Sequence, residues 1–215
     1  MKNIAVVLSG CGVLDGSEIH ESVLTLLAIS RAGAHYHCLA PNIPQHGVVN
    51  HATGQKVPGA SRNVLEEAAR IARGHIKDIS QANVTNYDAC IFPGGVGASM
   101  NLSDFGLKGA DCTVNPDVLR FAQAMAVAKK PIGFICIAPN LIAKIYGPGV
   151  KMTIGTDLET AQTLTQMGNI HQHCSVYDIV VDKNYKVIST PAYMLGKSIS
   201  EVADGINKLV EEILI

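Results

Sequence analysis

The chain has 215 residues, of which 47% are hydrophobic and 16% are charged, and its formal net charge is -1 at pH 7. This length suffices to bury a large core in a single domain, residues 1–215, and no linker or low-complexity tract divides it. The near-neutral charge argues against nucleic acid and membrane surfaces as partners, so we expect small molecules or a second copy of the chain.

The first elements predict a β-α-β unit. Ile4–Leu8 has the composition of a buried strand, Ser17–Arg31 carries apolar residues at helical spacing, and Tyr36–Ala40 is a second buried strand. Val48–Val57 then predicts a small hairpin. A strand, a helix and a strand in this order are typical of a parallel sheet.

The second half of the chain continues this alternation. Ala89–Phe92 and Ile132–Ile135 are predicted as buried strands, and Ile179–Ile188 as a second hairpin that decorates the core. Three helix starts are indicated by capping residues, at Asn115, Thr156 and Ser198. The pattern predicts an α/β fold with a mainly parallel central sheet covered by helices on both faces.

Cys136 follows a predicted buried strand and precedes a helix-like run that begins at Pro139. A thiol at such a junction sits on a sharp bend, and the positive end of a helix favours its thiolate. Ligands bind open parallel sheets at the carboxyl ends of the strands, where the loops Ser9–Gly12 and Pro93–Gly97 also lie. A free cysteine can simply be a small core residue, but this position favours a nucleophile.

Glycine-rich backbone near the thiol predicts donors for a developing oxyanion. We expect these donors to be the amides of Gly94, Gly95 and Val96, together with the amide of Ile137. The same Pro-Gly-Gly segment could equally form a tight turn.

Glu18 is the candidate carboxylate for exchanging protons with the thiol. Asp15 and Glu18 also fit a capping pair at the start of the first helix, and the spacing leaves both interpretations open. Cys11 lies at the same predicted edge, as a possible substrate contact or second redox thiol, although a small residue in a turn is the favoured interpretation.

The 6 cysteines show no C-x-x-C spacing, which indicates free thiols in a reducing cytoplasm. His171, His173 and Cys174 form a short cluster, but no second ligand pair matches it, so we predict no metal site. The N-terminal apolar run is too short for a signal peptide, and no segment is long enough to span a membrane.

Six segments resemble those of ElbB-type glyoxalases, also called enhancing lycopene biosynthesis proteins, over essentially the whole chain. These segments are 9–13, 15–21, 93–95, 134–139, 153–157 and 190–194. The family belongs to the PfpI-type branch of the class I glutamine-amidotransferase-like superfamily. The resemblance implies a flavodoxin-like α/β sandwich, which often forms homodimers.

The resemblance also implies that Cys136 is the elbow cysteine, that Glu18 is its carboxylate neighbour, and that the activity is a cofactor-free glyoxalase acting on small dicarbonyls such as glyoxal. Hydrolytic members carry a histidine after the elbow helix, whereas Met152–Asp157 contains none. This difference argues against a Cys-His-acid hydrolase and against glutaminase activity. A strongly electrophilic dialdehyde needs no leaving group to be expelled on thiolate addition.

A different class of function is compatible with the same residues. A low-pKa, accessible Cys136 could serve as a redox sensor, in a protein whose pocket binds a metabolite or partner without turnover. Oxidation by mild peroxide, set against dicarbonyl turnover, separates the two hypotheses.

Overall fold

The computed structural model describes residues 1–215 and is built around a seven-stranded sheet with two small two-stranded sheets. Its strands are β1 (Asn3–Val7), β2 (His35–Ala40), β3 (Val49–Asn50), β4 (Gln55–Lys56), β5 (Ile76–Asp78), β6 (Ala89–Phe92), β7 (Ile132–Ile135), β8 (Lys151–Met152), β9 (Ile170–His171), β10 (Val180–Asp182) and β11 (Val187–Thr190). Its α-helices are α1 (Ile19–Arg31), α2 (Val64–Ile71), α3 (Val96–Met100), α4 (Phe105–Lys108), α5 (Pro116–Val127), α6 (Ile142–Tyr146), α7 (Leu158–Gln166) and α8 (Ile199–Leu214). Short 3-10 helices cover 79–81, 84–86, 109–111, 138–141 and 192–194.

The large sheet has the strand order β10-β11-β7-β6-β1-β2-β5. All neighbours are parallel except β10 and β11, which are antiparallel. The predicted α/β fold with a mainly parallel sheet is therefore confirmed. The strand order reverses between β1 and β6, so the loops that follow β1, β6 and β7 lie side by side at one edge.

The side chains of the central strands alternate between two cores. Ala5 and Val7 of β1 face a core that α5, α6 and α7 cover, whereas Ile4 and Val6 face a core formed with α1, α2 and α8. This alternation follows from the period of two residues along a strand. Burial of both faces explains why the strands read as continuous apolar runs in the sequence.

Three sequence predictions need correction. The first helix begins at Ile19 rather than at Ser17, because the Glu18 side chain caps it, and the cap of α7 is Asp157 rather than Thr156. The second hairpin, Ile179–Ile188, is not a decoration. Its second strand, β11, is wholly buried and pairs in parallel with β7, so it belongs to the central sheet.

The remaining predicted elements agree with the structure, except that β2, predicted as a buried strand, is buried only over residues 38–40, with Tyr36 exposed. β3 and β4 form the first hairpin, Asn115 caps α5, and Ser198 caps α8 through a hydrogen bond from the Glu201 amide to Ser198 Oγ. None of the helices combines the length and the apolar composition that crossing a bilayer requires.

Candidate active site

Cys136 occupies the bend between β7 and the 3-10 helix 138–141, with a φ of 61°. A non-glycine residue in this left-handed region is strained, and such strain concentrates at functional sites. The Cys136 amide donates to the carbonyl oxygen of Thr190 at 3.0 Å, which anchors the bend to the end of β11. The residue is 8% exposed, so access to the sulfur is narrow.

The carboxyl group nearest the thiol belongs to Glu21, since a Cβ at Gly94 would lie 2.5 Å from the Cβ of Cys136 and 2.7 Å from Oε2 of Glu21. Glu21 is fully buried, with 0% exposure. Its two oxygens accept hydrogen bonds from backbone, Oε2 from the Gly94 amide at 2.9 Å and Oε1 from the Tyr193 amide at 3.2 Å. Glu21 thus joins α1, the loop after β6 and the segment after β11 around one sulfur.

Burial raises the pKa of the Glu21 carboxyl to about 8, and the nearby charge of Glu18 adds to this shift. Burial also raises the pKa of the Cys136 thiol, as does the charge of Glu21, while the amides of Gly95 and Ile137 donate to the sulfur and oppose the rise. Two coupled acids that both resist ionisation each keep a proton near neutral pH, and loss of one of these protons forms the reactive pair. The chemically useful form is a thiolate that accepts hydrogen bonds from two amides and a neutral carboxyl.

Glu18, the predicted carboxylate neighbour, serves as the N-cap of α1. Its Oε2 accepts a hydrogen bond from the Glu21 amide at 2.6 Å, and the residue is 8% exposed. Of the two interpretations that the spacing left open, the structure therefore shows the capping role for Glu18. The carboxyl group nearest the sulfur belongs to Glu21, one helical turn later. A catalytic role for Glu18 stays a prediction. Glu21 is the stronger candidate for proton exchange with the thiol, because its carboxyl group lies closer to Cys136.

Glu21 was not singled out from the sequence, although one signal could have found it. It lies on the buried face of α1, four residues before Thr25 and eight before Ile29, both of which are buried. An acid on an apolar helix face is rarely accommodated without a specific partner. The partner here is a distant cysteine, which only the folded chain reveals.

The four predicted oxyanion donors divide into two pairs. Gly94 donates to Glu21, and the Val96 amide donates to the carbonyl oxygen of Val13 at 2.8 Å, so neither amide is free for a substrate. The amides of Gly95 and Ile137 point at the Cys136 sulfur and remain candidates.

Glycine is required at both positions of the Gly94-Gly95 pair. A Cβ at Gly94 would lie 2.5 Å from the Cβ of Cys136, and one at Gly95 would lie 2.4 Å from the Glu18 amide nitrogen. Gly95 also has a φ of +96°, which disfavours other residues. These contacts explain the Pro-Gly-Gly sequence by the close approach of the two loops.

Cys11 lies apart from Cys136. It lines a cavity of about 520 Å³ between α1 and α2, with Arg70 beside it. Burial and the charge of Glu67 raise the pKa of its thiol. Cys136 shares none of these neighbours, so the geometry gives no support to a redox pair between the two thiols.

The rings of His171 and His173 lie edge to face, with centroids 5.5 Å apart, and the Cys174 thiol donates to the carbonyl oxygen of Ser175 at 3.4 Å. No group of three or more histidine, cysteine or acidic side chains has a metal-binding arrangement.

The chain matches no protein-family model. It is 44% identical to the mitochondrial ES1 protein homolog of Rattus norvegicus over 220 residues, which cover 98% of this chain and 82% of the relative. The chain belongs to the ES1 family. A further relative is glutamine amidotransferase-like class 1 domain-containing protein 3, mitochondrial, from Homo sapiens, also 44% identical over 98% of this chain and 82% of its own length.

Comparison with solved structures relates this ES1-family chain to further proteins. The isoprenoid biosynthesis protein with an amidotransferase-like domain from Ehrlichia chaffeensis superposes with a TM-score of 0.93 and 36% identity, over 100% of this chain and 98% of that one. A ThiJ/PfpI domain protein from Brachyspira murdochii shares the fold alone, with a TM-score of 0.62 and 14% identity over 99% and 96% of the two chains. The resemblance seen in the sequence motifs, to ElbB-type proteins of the class I glutamine-amidotransferase-like superfamily, is confirmed.

Proposed function

We propose that this ES1-family protein is a cofactor-independent glyoxalase that converts small dicarbonyls, with glyoxal to glycolate as the type reaction. The observation that carries the proposal is the strained bend at Cys136 beside the fully buried Glu21 carboxyl, with both side chains lying against Gly94. A nucleophile beside an acid of raised pKa is the arrangement that proton transfer near neutral pH requires.

The first step is addition of the Cys136 thiolate to one aldehyde carbon. The carbon–sulfur bond forms, the π electrons move to oxygen, and the neutral Glu21 carboxyl gives its proton to that oxygen to form a hemithioacetal. The amides of Gly95 and Ile137 are the donors available to the developing charge.

Glu21, now ionised, then acts as the base. It removes the C–H proton of the hemithioacetal carbon to leave an enediolate. It next returns the proton to the neighbouring carbon, while the first hydroxyl releases its proton to water and becomes a carbonyl, and the second oxygen takes up a proton to become the hydroxyl of the product. The product is a hydroxyacetyl thioester on Cys136, which water cleaves to glycolate and free thiol. One carbon is oxidised and its neighbour reduced, so no external oxidant or cofactor is needed.

Turnover of glyoxal by the purified protein tests the proposal. We expect Cys136→Ser to abolish glycolate formation, whereas Cys11→Ser, which changes a thiol in a different cavity, should leave the rate within about twofold of the wild-type rate. Equal rates for the wild type and Cys136→Ser would reject the assignment.

A thiol-based redox sensor is the second candidate, and the narrow access to the sulfur favours it. Cys136 lines none of five surface cavities whose volumes run from about 180 to 520 Å³. A very small reagent such as peroxide would enter more easily than a dicarbonyl. Rapid conversion of Cys136 to sulfenic or sulfinic acid without glyoxal turnover would support this alternative.

A homodimer and a cytoplasmic location also remain predictions. The six cysteines are all free thiols, which fits a reducing compartment. The rat and human relatives carry the word mitochondrial in their names. Fractionation of the source cells distinguishes the two locations, and light scattering of the purified protein gives its oligomeric state.

A further inference from the structure

The segment that follows β11 turns sharply beside the thiol. Ala192 has a φ of 44° and is fully buried, although it is not a glycine. The next residue, Tyr193, gives its amide proton to Glu21 Oε1. Backbone strain next to a reactive carboxyl is typical of a position that holds a particular side chain in place.

The side chain held in this way is the Tyr193 phenol. Its oxygen lies 2.8 Å from Nδ1 of His20, and the two rings are tilted with centroids 5.9 Å apart. Burial and the charges of Glu18 and Glu21 raise the pKa of the Tyr193 phenol, so its oxygen keeps a proton to donate. Tyr193 is half-buried and His20 is exposed. The two side chains therefore connect the backbone beside the Glu21 carboxyl with the solvent.

We propose that Tyr193 and His20 form an acid pair beside the Glu21 carboxyl of the Cys136 site, which protonates the dicarbonyl oxygen that is farther from the sulfur. This inference rests on the proposed glyoxalase function and adds a recognition group for the second oxygen of a 1,2-dicarbonyl. Nothing in the proposed use of Cys136 and Glu21 supplies a donor for that oxygen.

The enediolate is the intermediate that needs this donor. When Glu21 removes the C–H proton, negative charge develops on the second oxygen. The Tyr193 O–H bond breaks as its proton passes to that oxygen, and the Nδ1 nitrogen of His20, 2.8 Å away, relays a proton from solvent to restore the phenol. The ring takes up one proton from water for each proton that it gives, so it ends the step unchanged.

Glu21 cannot perform this role together with its own. Both of its oxygens accept hydrogen bonds from backbone amides, it is fully buried, and its proton already passes to the first aldehyde oxygen and between the two substrate carbons. His20 precedes it on α1, and imidazole is the side chain best suited to exchange protons with water near neutral pH.

The test compares Tyr193→Phe and His20→Gln with the wild type in glyoxal turnover as a function of pH. Removal of an acid catalyst should lower kcat by about 10- to 100-fold and flatten the alkaline limb of the kcat profile. Matched controls are Tyr177→Phe, an exposed phenol beside Glu201, and His75→Gln, an exposed loop residue. The titratable groups whose charges act on the Tyr193 phenol are Glu18 and Glu21, and both are kept in every variant.

The rate of Cys136 alkylation by iodoacetamide is the second measurement, since it reports the nucleophile without the dicarbonyl. We expect both variants to keep this rate within about threefold, because the thiol and its direct contacts are unchanged. An unchanged kcat profile in both variants would overturn the inference and leave the glyoxalase function standing. Alkylation that falls in parallel with kcat would also overturn it, because the pair would then act only on the structure of the site. Absence of turnover in the wild type would remove the proposed function and this inference together.

Discussion

The chemistry of the site depends on which of two neighbouring acids contacts the sulfur. Glu18 and Glu21 are separated by one helical turn, and both are buried. The side chain of Glu18 is occupied by capping, whereas that of Glu21 reaches the thiol of Cys136. A pair of variants that exchange each acid for its amide separates these roles.

We expect Glu21→Gln to lower glyoxal turnover by about 10²- to 10⁴-fold, because the amide can neither give a proton nor accept the two backbone hydrogen bonds of the carboxyl. Glu18→Gln should keep the helix cap through its amide oxygen and lose less than about threefold in turnover. The measurement is kcat/KM for glyoxal at neutral pH. A larger loss for Glu18→Gln than for Glu21→Gln would return the catalytic role to Glu18.

Glu21 should also make stability depend on pH. Its folded pKa of about 8 lies above the ordinary value of 4.5, so between these values the folded protein retains a proton that the unfolded chain releases. The free energy of unfolding should therefore fall as pH rises through this window, by up to about 1.4 kcal/mol per pH unit.

Urea unfolding at several pH values between 5 and 8 measures this effect, at about unit pH spacing. The comparison with Glu21→Gln isolates it, because the variant has no carboxyl at this position and should show a shallower pH dependence. Parallel curves for the two proteins would show that Glu21 ionises normally in the folded state.

At the scale of elements, α8 packs unusually close to β7. A Cβ at Gly133 would lie 2.7 Å from Ile213 Cδ1 and 2.8 Å from Leu209 Cδ2. Both of these residues are at most 1% exposed. The absence of a side chain at Gly133 thus lets the helix sit against the strand that carries Cys136.

Gly133→Ala should lower the free energy of unfolding by about 1–3 kcal/mol through overpacking. Gly47→Ala is the matched control, since a Cβ there meets nothing within 4 Å, and it should be neutral or slightly stabilising. Chemical denaturation of the two variants and the wild type checks this. Equal stability of Gly133→Ala and the wild type would mean that α8 moves away at little cost.

For the molecule as a whole, the sequence pattern predicts the parts of the fold that local chemistry determines. The buried runs at β1, β6 and β7 and the caps at Asn115 and Ser198 are confirmed, because apolar periodicity and capping hydrogen bonds act within a few residues. Cys136 lies at the predicted bend for the same reason.

The wrong and missed features depend on contacts between distant segments. Ile179–Ile188 looks like an isolated hairpin, but β11 joins the sheet through parallel pairing with β7, more than 50 residues earlier. Glu21 and Glu18 are equally acidic in sequence, and only the packing of α1 against the end of β7 decides which acid meets the thiol. The spacing of residues within each segment indicates neither the pairing of β11 with β7 nor the proximity of Glu21 to the thiol.

The central claim is that Cys136 is the reactive thiol despite its burial. Site-resolved mass spectrometry during brief iodoacetamide treatment of the native protein at neutral pH tests it most directly, because Cys11 and Cys174 are more exposed and serve as internal references. We predict that Cys136 is alkylated before both of them, because it lies at a strained bend and the amides of Gly95 and Ile137 lower the pKa of its thiol against the effect of burial. Modification of Cys11 and Cys174 while Cys136 stays as inert as the buried Cys38 and Cys90 would contradict the account.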